Sequence, residues 1–251
     1  MKAEVHLLTW QEEAFIGYAL KHYATFCSRM VVHDAFSKDG TREIALSMGA
    51  EVRDWDTGDR FNDEMAMNLK NACWKGTDAD WVVCADADEL IYFPAGAEFT
   101  LAAYEAQGVP MVKPFGYEMC SDVYPTTQGQ IYDEVKFGAR DDKWYAKPIL
   151  FSPKRVRESG IGIGAHECNP ITTDGRMIQV NREYPKSTPS CLLLHFHQLG
   201  SVERIAKLYD ERRARLSQAN IDHRWGNFDL GSQHAREKRN LIKAGLERVI
   251  P

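Results

Sequence analysis

The first hundred residues predict an α/β fold, a mostly parallel sheet flanked by helices. Two observations carry that prediction. Short apolar runs alternate with segments whose apolar residues recur at helical spacing, and the fourth such run, Trp81-Val82-Val83-Cys84-Ala85, is short enough to be one buried strand. A third observation points to function. That run leads directly into Asp86-Ala87-Asp88-Glu89, three carboxylates in four positions. Like charges this close raise one another's pKa unless a cation neutralises them, and a divalent metal with oxygen ligands is the simplest such cation. A solvated acidic turn is the plainer reading of any Asp-x-Asp; the strand in front of this one argues for the metal.

Residues 5–9 read as the first strand. Residues 12–24 follow as a helix, with Phe15, Ile16, Ala19, Leu20 and Tyr23 on one side. Residues 30–33 form a second strand ending at Asp34. Residues 37–41 are a turn and cap, and 42–48 a short helix closed by Gly49. Residues 51–53 make a brief third strand, and 62–75 a helix with Met65, Leu69, Ala72 and Cys73 on one side. In parallel sheets of this kind ligands bind beyond the carboxyl ends of the strands. Thr9, Asp34 and Asp86 all stand at such ends, so the fold itself gathers them around one crevice.

The middle of the chain is less regular. Residues 97–107 read as a helix, 110–113 and 149–151 as strands, and the Asp-, Gly- and aromatic-rich stretch 117–147 as a long loop. Residues 191–194 form another buried strand, leading into His195-Phe196-His197. Ser201 caps a helix to about residue 217, and 231–249 reads as a last amphipathic, basic helix. No repeat, low-complexity tract or clear linker divides the 251 residues, which are expected to form one domain.

Composition is that of a soluble globular protein, and no apolar stretch approaches the roughly 20 residues of a membrane span. The first residues lack the apolar core of a signal peptide, so a cytoplasmic location is the expectation. Six scattered cysteines without a Cys-x-x-Cys pair suggest free buried thiols rather than disulfides or zinc. Residues 1–100 hold nine basic and eighteen acidic residues, residues 201–251 eleven basic and seven acidic. The acidic front suits a metal site. The basic tail suits a phosphate-bearing partner, or simply a solvated helix face.

Several segments, in order, resemble the inverting glycosyltransferases of family 2, which have the GT-A fold. They are Thr9-Trp10-Gln11-Glu12-Glu13, then His33-Asp34-Ala35-Phe36-Ser37-Lys38-Asp39-Gly40-Thr41, then Lys70-Asn71, and then Asp80 through Asp86-Ala87-Asp88-Glu89. The resemblance is continuous over roughly the first 95 residues. It is weaker at Gly164-Ala165-His166-Glu167 and Leu194-His195-Phe196-His197. It implies a nucleotide-sugar-binding half over residues 1–95, an acceptor side over 96–200 and C-terminal helices over 201–251. It also implies transfer of a sugar from a nucleotide-sugar donor, most simply a UDP-sugar, with Mn²⁺ or Mg²⁺ on the donor diphosphate.

By that resemblance Asp88 is the direct metal ligand, and Asp86 contacts the ribose or the metal. One C-terminal histidine completes the metal shell: His197 is favoured slightly over His195. Asp34 would accept hydrogen bonds from the base or ribose, with Thr9, Trp10 and Glu12 lining the same pocket and Lys70 reaching a phosphate. Glu89 is expected behind them as a structural carboxylate. If the strand continues through His195 and His197, the two share one face with Phe196 on the other. An inverting transfer needs a general base. Glu167 is preferred, because the glycine run at 160–164 lets backbone approach a substrate; His166, Asp141 and Asp142 are alternatives. Trp144 and Tyr145 could stack on an acceptor, or simply anchor a loop. The acceptor itself stays open among glycan, lipid-linked sugar, protein and modified nucleic acid. A nucleotidyltransferase making the sugar nucleotide is a rival, but residues 9–13 lack the Gly-rich basic loop that holds a triphosphate. A binding module without turnover is the other rival.

Overall fold

The computed structural model describes residues 1–180, 189–226 and 231–251. Its elements run β1 (Ala3–Thr9), α1 (Ile16–Tyr23), β2 (Arg29–Asp34), α2 (Thr41–Ser47), β3 (Glu51–Asp54), α3 (Asp63–Ala72), β4 (Trp81–Asp86), β5 (Glu89–Tyr92), α4 (Ala97–Ala106), β6 (Met111–Val112) and β7 (Phe115–Ser121). They continue through β8 (Phe137–Arg140), β9 (Leu150–Phe151), β10 (Val156–Glu158), β11 (Ile171–Thr172), β12 (Leu192–Leu199), α5 (Val202–Ala214), α6 (Gln218–His223), α7 (Gly231–Ala244) and β13 (Leu246–Arg248). No helix among the described residues is long and apolar enough to cross a membrane.

The main sheet has the order β3-β2-β1-β4-β9-β6. Its first four strands are parallel, as the alternating sequence predicts, while β9 runs antiparallel to both β4 and β6. The chain steps outward from β1 to β3 and then returns to lay β4 on the other side of β1. The order therefore reverses between β1 and β4, which opens a crevice at their carboxyl ends. Thr9 pairs with Asp34 and Leu8 with Asp86, so the three strand ends stand level. β1 is buried throughout and β4 up to Asp86, which is why both read as near-continuous apolar runs.

Helix boundaries follow capping chemistry. The Asn62 side chain accepts from Met65 N at 3.1 Å and starts α3 where the sequence places it. The turn before α1 does begin at Glu12, whose carbonyl accepts from Phe15 N and Ile16 N at 2.9 and 2.8 Å, but regular helix starts only at Ile16.

The second sheet, β13-β8-β7-β12-β5, corrects the reading of the C-terminal half. Residues 117–147 are not one loop, since they supply most of β7 and all of β8. The helix expected to 217 ends at Ala214, because Ser217 caps a new one with its hydroxyl accepting from Asn220 N at 3.2 Å. The last helix ends at Ala244, and β13 follows to pair with β8. At Gly116 a Cβ would lie 2.2 Å from the Tyr145 carbonyl carbon, so only glycine lets β7 pack this close to that backbone.

Arg239 of α7 locks this sheet to the helices. It is 2% exposed and donates to the carbonyls of Gln198, Ser121 and Gly200 at 2.9, 3.0 and 2.7 Å, and to Asp122 at 2.9 Å. Removing it takes a charged donor from three carbonyls, of which Ser121 keeps a backbone donor, the Gly200 N–H at 2.9 Å. Arg239→Met is expected to lose about 3 kcal/mol or more of stability in a urea unfolding curve; a loss below about 1 kcal/mol would show that the ends of β7 and β12 do not depend on this clamp.

Candidate active site

A cleft of about 990 Å³ opens at the carboxyl ends of β1 and β4. Thr9 and Asp86 line it from the main sheet, Asp88 from the turn after β4, His195 and His197 from β12, and Arg212 from α5. The acidic cluster lies at its floor, and the protein supplies cations for most of it. The buried Lys70 of α3 reaches Asp86 with Nζ at 2.8 Å. Glu89, fully buried, receives Lys147 Nζ at 2.5 Å and the Asp86 backbone N–H at 3.0 Å. Burial pulls both ammonium groups down in pKa, but Asp86 and Glu89 outweigh it, so both end raised and charged. Burial likewise opposes the Glu89 carboxylate, yet Lys147 and Lys70 hold its pKa down at about 2. Glu89 is thus the structural carboxylate the sequence suggests.

β12 does continue through the histidines, and its neighbours decide what each one meets. His195 registers with Glu89 on β5 and with Glu118 on β7. Its Nδ1 stands 3.0 Å from both Glu118 oxygens, its Nε2 3.8 Å from Asp88, and its ring stacks on Tyr145. Burial lowers its pKa, and Glu118 and Asp88 more than compensate, so it is raised. His197 is different. Burial and then the Arg212 charge push it well below the usual imidazole range, so it is neutral. It stacks on Tyr209, and its buried Nε2 has no hydrogen-bond partner among the described residues.

Three placements differ from expectation. Asp34 stands at its strand end but does not line the cleft. It is fully buried and accepts from Ser37 N and Oγ at 3.1 and 2.6 Å, with Thr9 Oγ1 at 3.4 Å and Arg42 at 3.5 Å. Its carboxylate is committed to the turn after β2 and is not presented to a ligand. Glu167 is exposed and outside the cleft lining, because the glycine turn holds its backbone, not its side chain, against Gly162. Asp142 is likewise outside, fixed by Arg140 and by the Gly116 N–H at 3.2 Å. Tyr145, a stacking candidate, is buried under His195, whereas Trp144 is exposed at the cleft.

The structure does bring Trp10, Glu12, Lys70 and His166 to the cleft alongside Thr9, Asp86 and Asp88. The Arg215 guanidinium lies 3.1 Å above the Trp10 ring centroid. Enclosure in the cleft and the Asp88 charge push Glu12 up to about 8, against the pull of Arg212 and Arg204. Burial, followed by Lys147, lowers His166 to about 4, and its buried Nδ1 has no hydrogen-bond partner among the described residues. Sequence reading missed Glu118, Lys147 and the arginines of α5. Their only signal was the run of charges in segments read as loop or solvated helix.

The donors present fit a divalent ion. Asp88 is the cluster carboxylate whose nearest cationic partner among the described residues is no closer than 3.8 Å. His197 adds a neutral imidazole with an unsatisfied nitrogen in the same cleft.

No family model matches the chain, and no curated protein does. Among solved structures, mannosyl-3-phosphoglycerate synthase from Rubrobacter xylanophilus is similar at 22% identity and a TM-score of 0.36, over 48% of this chain and 41% of that one. Glucosyl-3-phosphoglycerate synthase from Mycobacterium tuberculosis, in complex with Mn²⁺, UDP-glucose and phosphoglyceric acid, is similar at 22% identity and a TM-score of 0.30, over 45% of this chain and 43% of that one. The chain spans less than half the length of each of these structures.

The Glu89 pairing sets a pH dependence. A carboxyl held at about 2 instead of its ordinary 4.5 contributes stability that is fully present above about pH 4.5 and is lost as pH falls toward 2. Wild type should therefore lose melting temperature across that window, and Glu89→Gln should show a shallower fall. Parallel curves for the two proteins would place the acid sensitivity elsewhere.

Proposed function

We propose that the chain is a metal-dependent inverting glycosyltransferase of the GT-A type, moving a sugar from a nucleotide-sugar donor, a UDP-sugar, to an acceptor hydroxyl. The observation that carries this reading is the position of Asp86 and Asp88. They stand at the carboxyl end of β4, beside the strand-order reversal, facing His195 and His197 across one cleft. Asp88 and His197 would hold Mn²⁺ or Mg²⁺, which when bound offsets the charge growing on the leaving nucleoside diphosphate.

The protein's own groups divide the remaining work. Lys70 orients Asp86 through one oxygen at 2.8 Å, leaving the other for a ribose hydroxyl or the ion. Trp10 and Glu12 border the nucleotide end. Arg212 and Arg215, on the same wall, offer positive charge to the diphosphate. Glu118 orients His195, whose other ring nitrogen stands 3.8 Å from Asp88. As the acceptor oxygen attacks the anomeric carbon from the face opposite the leaving group, its proton passes to His166. That imidazole is neutral at pH 7 and borders the cleft, whereas Glu167 and Asp142 do not, and Asp141, which also borders it, has its Oδ1 engaged by Lys143 N and Trp144 N at 3.0 and 3.2 Å.

Calorimetry tests the donor site. Wild type should bind UDP in the presence of Mn²⁺, and Asp88→Ala should bind at least about tenfold more weakly. No binding by wild type, or equal binding by the variant, would sink the assignment. A separate measurement addresses the base: His166→Ala should lower kcat about 10²-fold or more while leaving UDP affinity intact. Unchanged kcat would remove His166 from the reaction.

A further inference from the structure

A second cluster of ligand-bearing side chains lies outside the cleft, and no step described above uses it. His6 of β1, His33 of β2 and Cys73, which follows α3, place one ligand atom each within 4.8 Å of one another. None of them lines the cleft. His6 registers with Cys84 on β4, and His33 with Leu8 on β1, so His6, His33 and Cys84 share one face of the sheet. Cys73 meets that face from the end of α3.

The arrangement is organised as a ligand set rather than as a chance contact. His6 Nδ1 stands 3.0 Å from His33 Nε2. On its other side His6 Nε2 lies 2.6 Å from the buried carboxylate of Glu4, which Arg29 and Thr77 hold at 2.8 and 3.1 Å. A carboxylate on one ring nitrogen fixes the tautomer: Nε2 carries the hydrogen, and the Nδ1 lone pair is turned toward His33 and Cys73. Such outer carboxylates commonly orient metal-binding histidines. The Cys84 sulfur lies 3.7 Å from that of Cys73.

We propose that His6, His33 and Cys73 form a site for a transition metal of the zinc class, with Cys84 beside Cys73 but outside the set of ligand atoms. Thiolate and imidazole donors select zinc or cobalt over the magnesium or manganese suited to the oxygen-rich cleft. On binding, the Cys73 thiol proton leaves to solvent, and its thiolate offsets part of the ion's charge in a buried place. Cys73 is half-buried, which leaves the cluster a way in. The ion would tie the end of α3 to β1 and β2, one helical turn from Lys70. One of the scattered cysteines, expected to be ordinary buried thiols, then has a purpose of its own.

Cobalt absorption tests this in the whole chain stripped with chelator. Wild type should take up about one equivalent of Co²⁺ with a near-ultraviolet thiolate-to-cobalt charge-transfer band and strong tetrahedral visible bands, both bleached by added Zn²⁺. Asp88→Ala should keep these bands, because carboxylate donors in the cleft give no thiolate charge transfer. Cys73→Ser should lose the charge-transfer band or weaken it severely, and His33→Gln should bind Co²⁺ at least about tenfold more weakly, each with a wild-type circular dichroism spectrum. Absence of the charge-transfer band in wild type overturns the proposal without relying on any variant. So does a band unchanged in Cys73→Ser, or one lost in Asp88→Ala alone.

Discussion

The buried charge ladder at the end of β4 is the constraint on which the rest depends. Asp86, Glu89 and Glu118 are drawn together near the ends of sheet strands, and each has a dedicated basic partner: Lys70, Lys147 and His195. Glu89 is fully buried: burial alone would raise its pKa, and Lys147 and Lys70 hold it down at about 2. The partners come from α3, from the segment before β9 and from β12, so three distant parts of the chain must be in place before the floor of the cleft is electrostatically balanced. Asp88 is the member whose nearest cation stays at 3.8 Å, and that is what leaves it available to an added ion.

Topology explains why this ladder faces a cleft rather than solvent. The reversal between β1 and β4 parts the helices above the strand ends, and the second sheet closes the far wall with β12. Gly116 lets β7 approach the backbone of Tyr145, which places that ring under His195 and Glu118 beside it. Arg239 then holds the ends of β7 and β12 from behind. The histidine pair on one face of β12 is positioned by different neighbours: His195 by Tyr145 and Glu118, His197 by Tyr209 of α5.

Legibility in the sequence tracked locality. β1, β2 and β4 were readable because fully buried parallel strands are uninterrupted apolar runs, and Asn62 and Ser201 announced their helices by capping. β7 was not readable: it carries a glycine and a buried glutamate, and Glu118 makes sense only opposite His195. Asp34 was placed at the correct strand end, yet Ser37, three residues on, consumes its carboxylate. Glu167 and Asp142 were proposed from loop chemistry, and nothing in their neighbourhood indicated which way the side chains would turn.

By itself the sequence determined the α/β order, the level strand ends at Thr9, Asp34 and Asp86, and the acidic cluster that marks the cleft. Those follow from local periodicity and from the handed, sequential winding of parallel strands. Only the tertiary structure decided which carboxylate keeps a free charge, which histidine is neutral, and which cysteine meets two histidines. Such properties depend on burial and on partners tens of residues away, since Lys70, Lys147, Glu118 and Cys73 acquire their roles from what the fold sets against them.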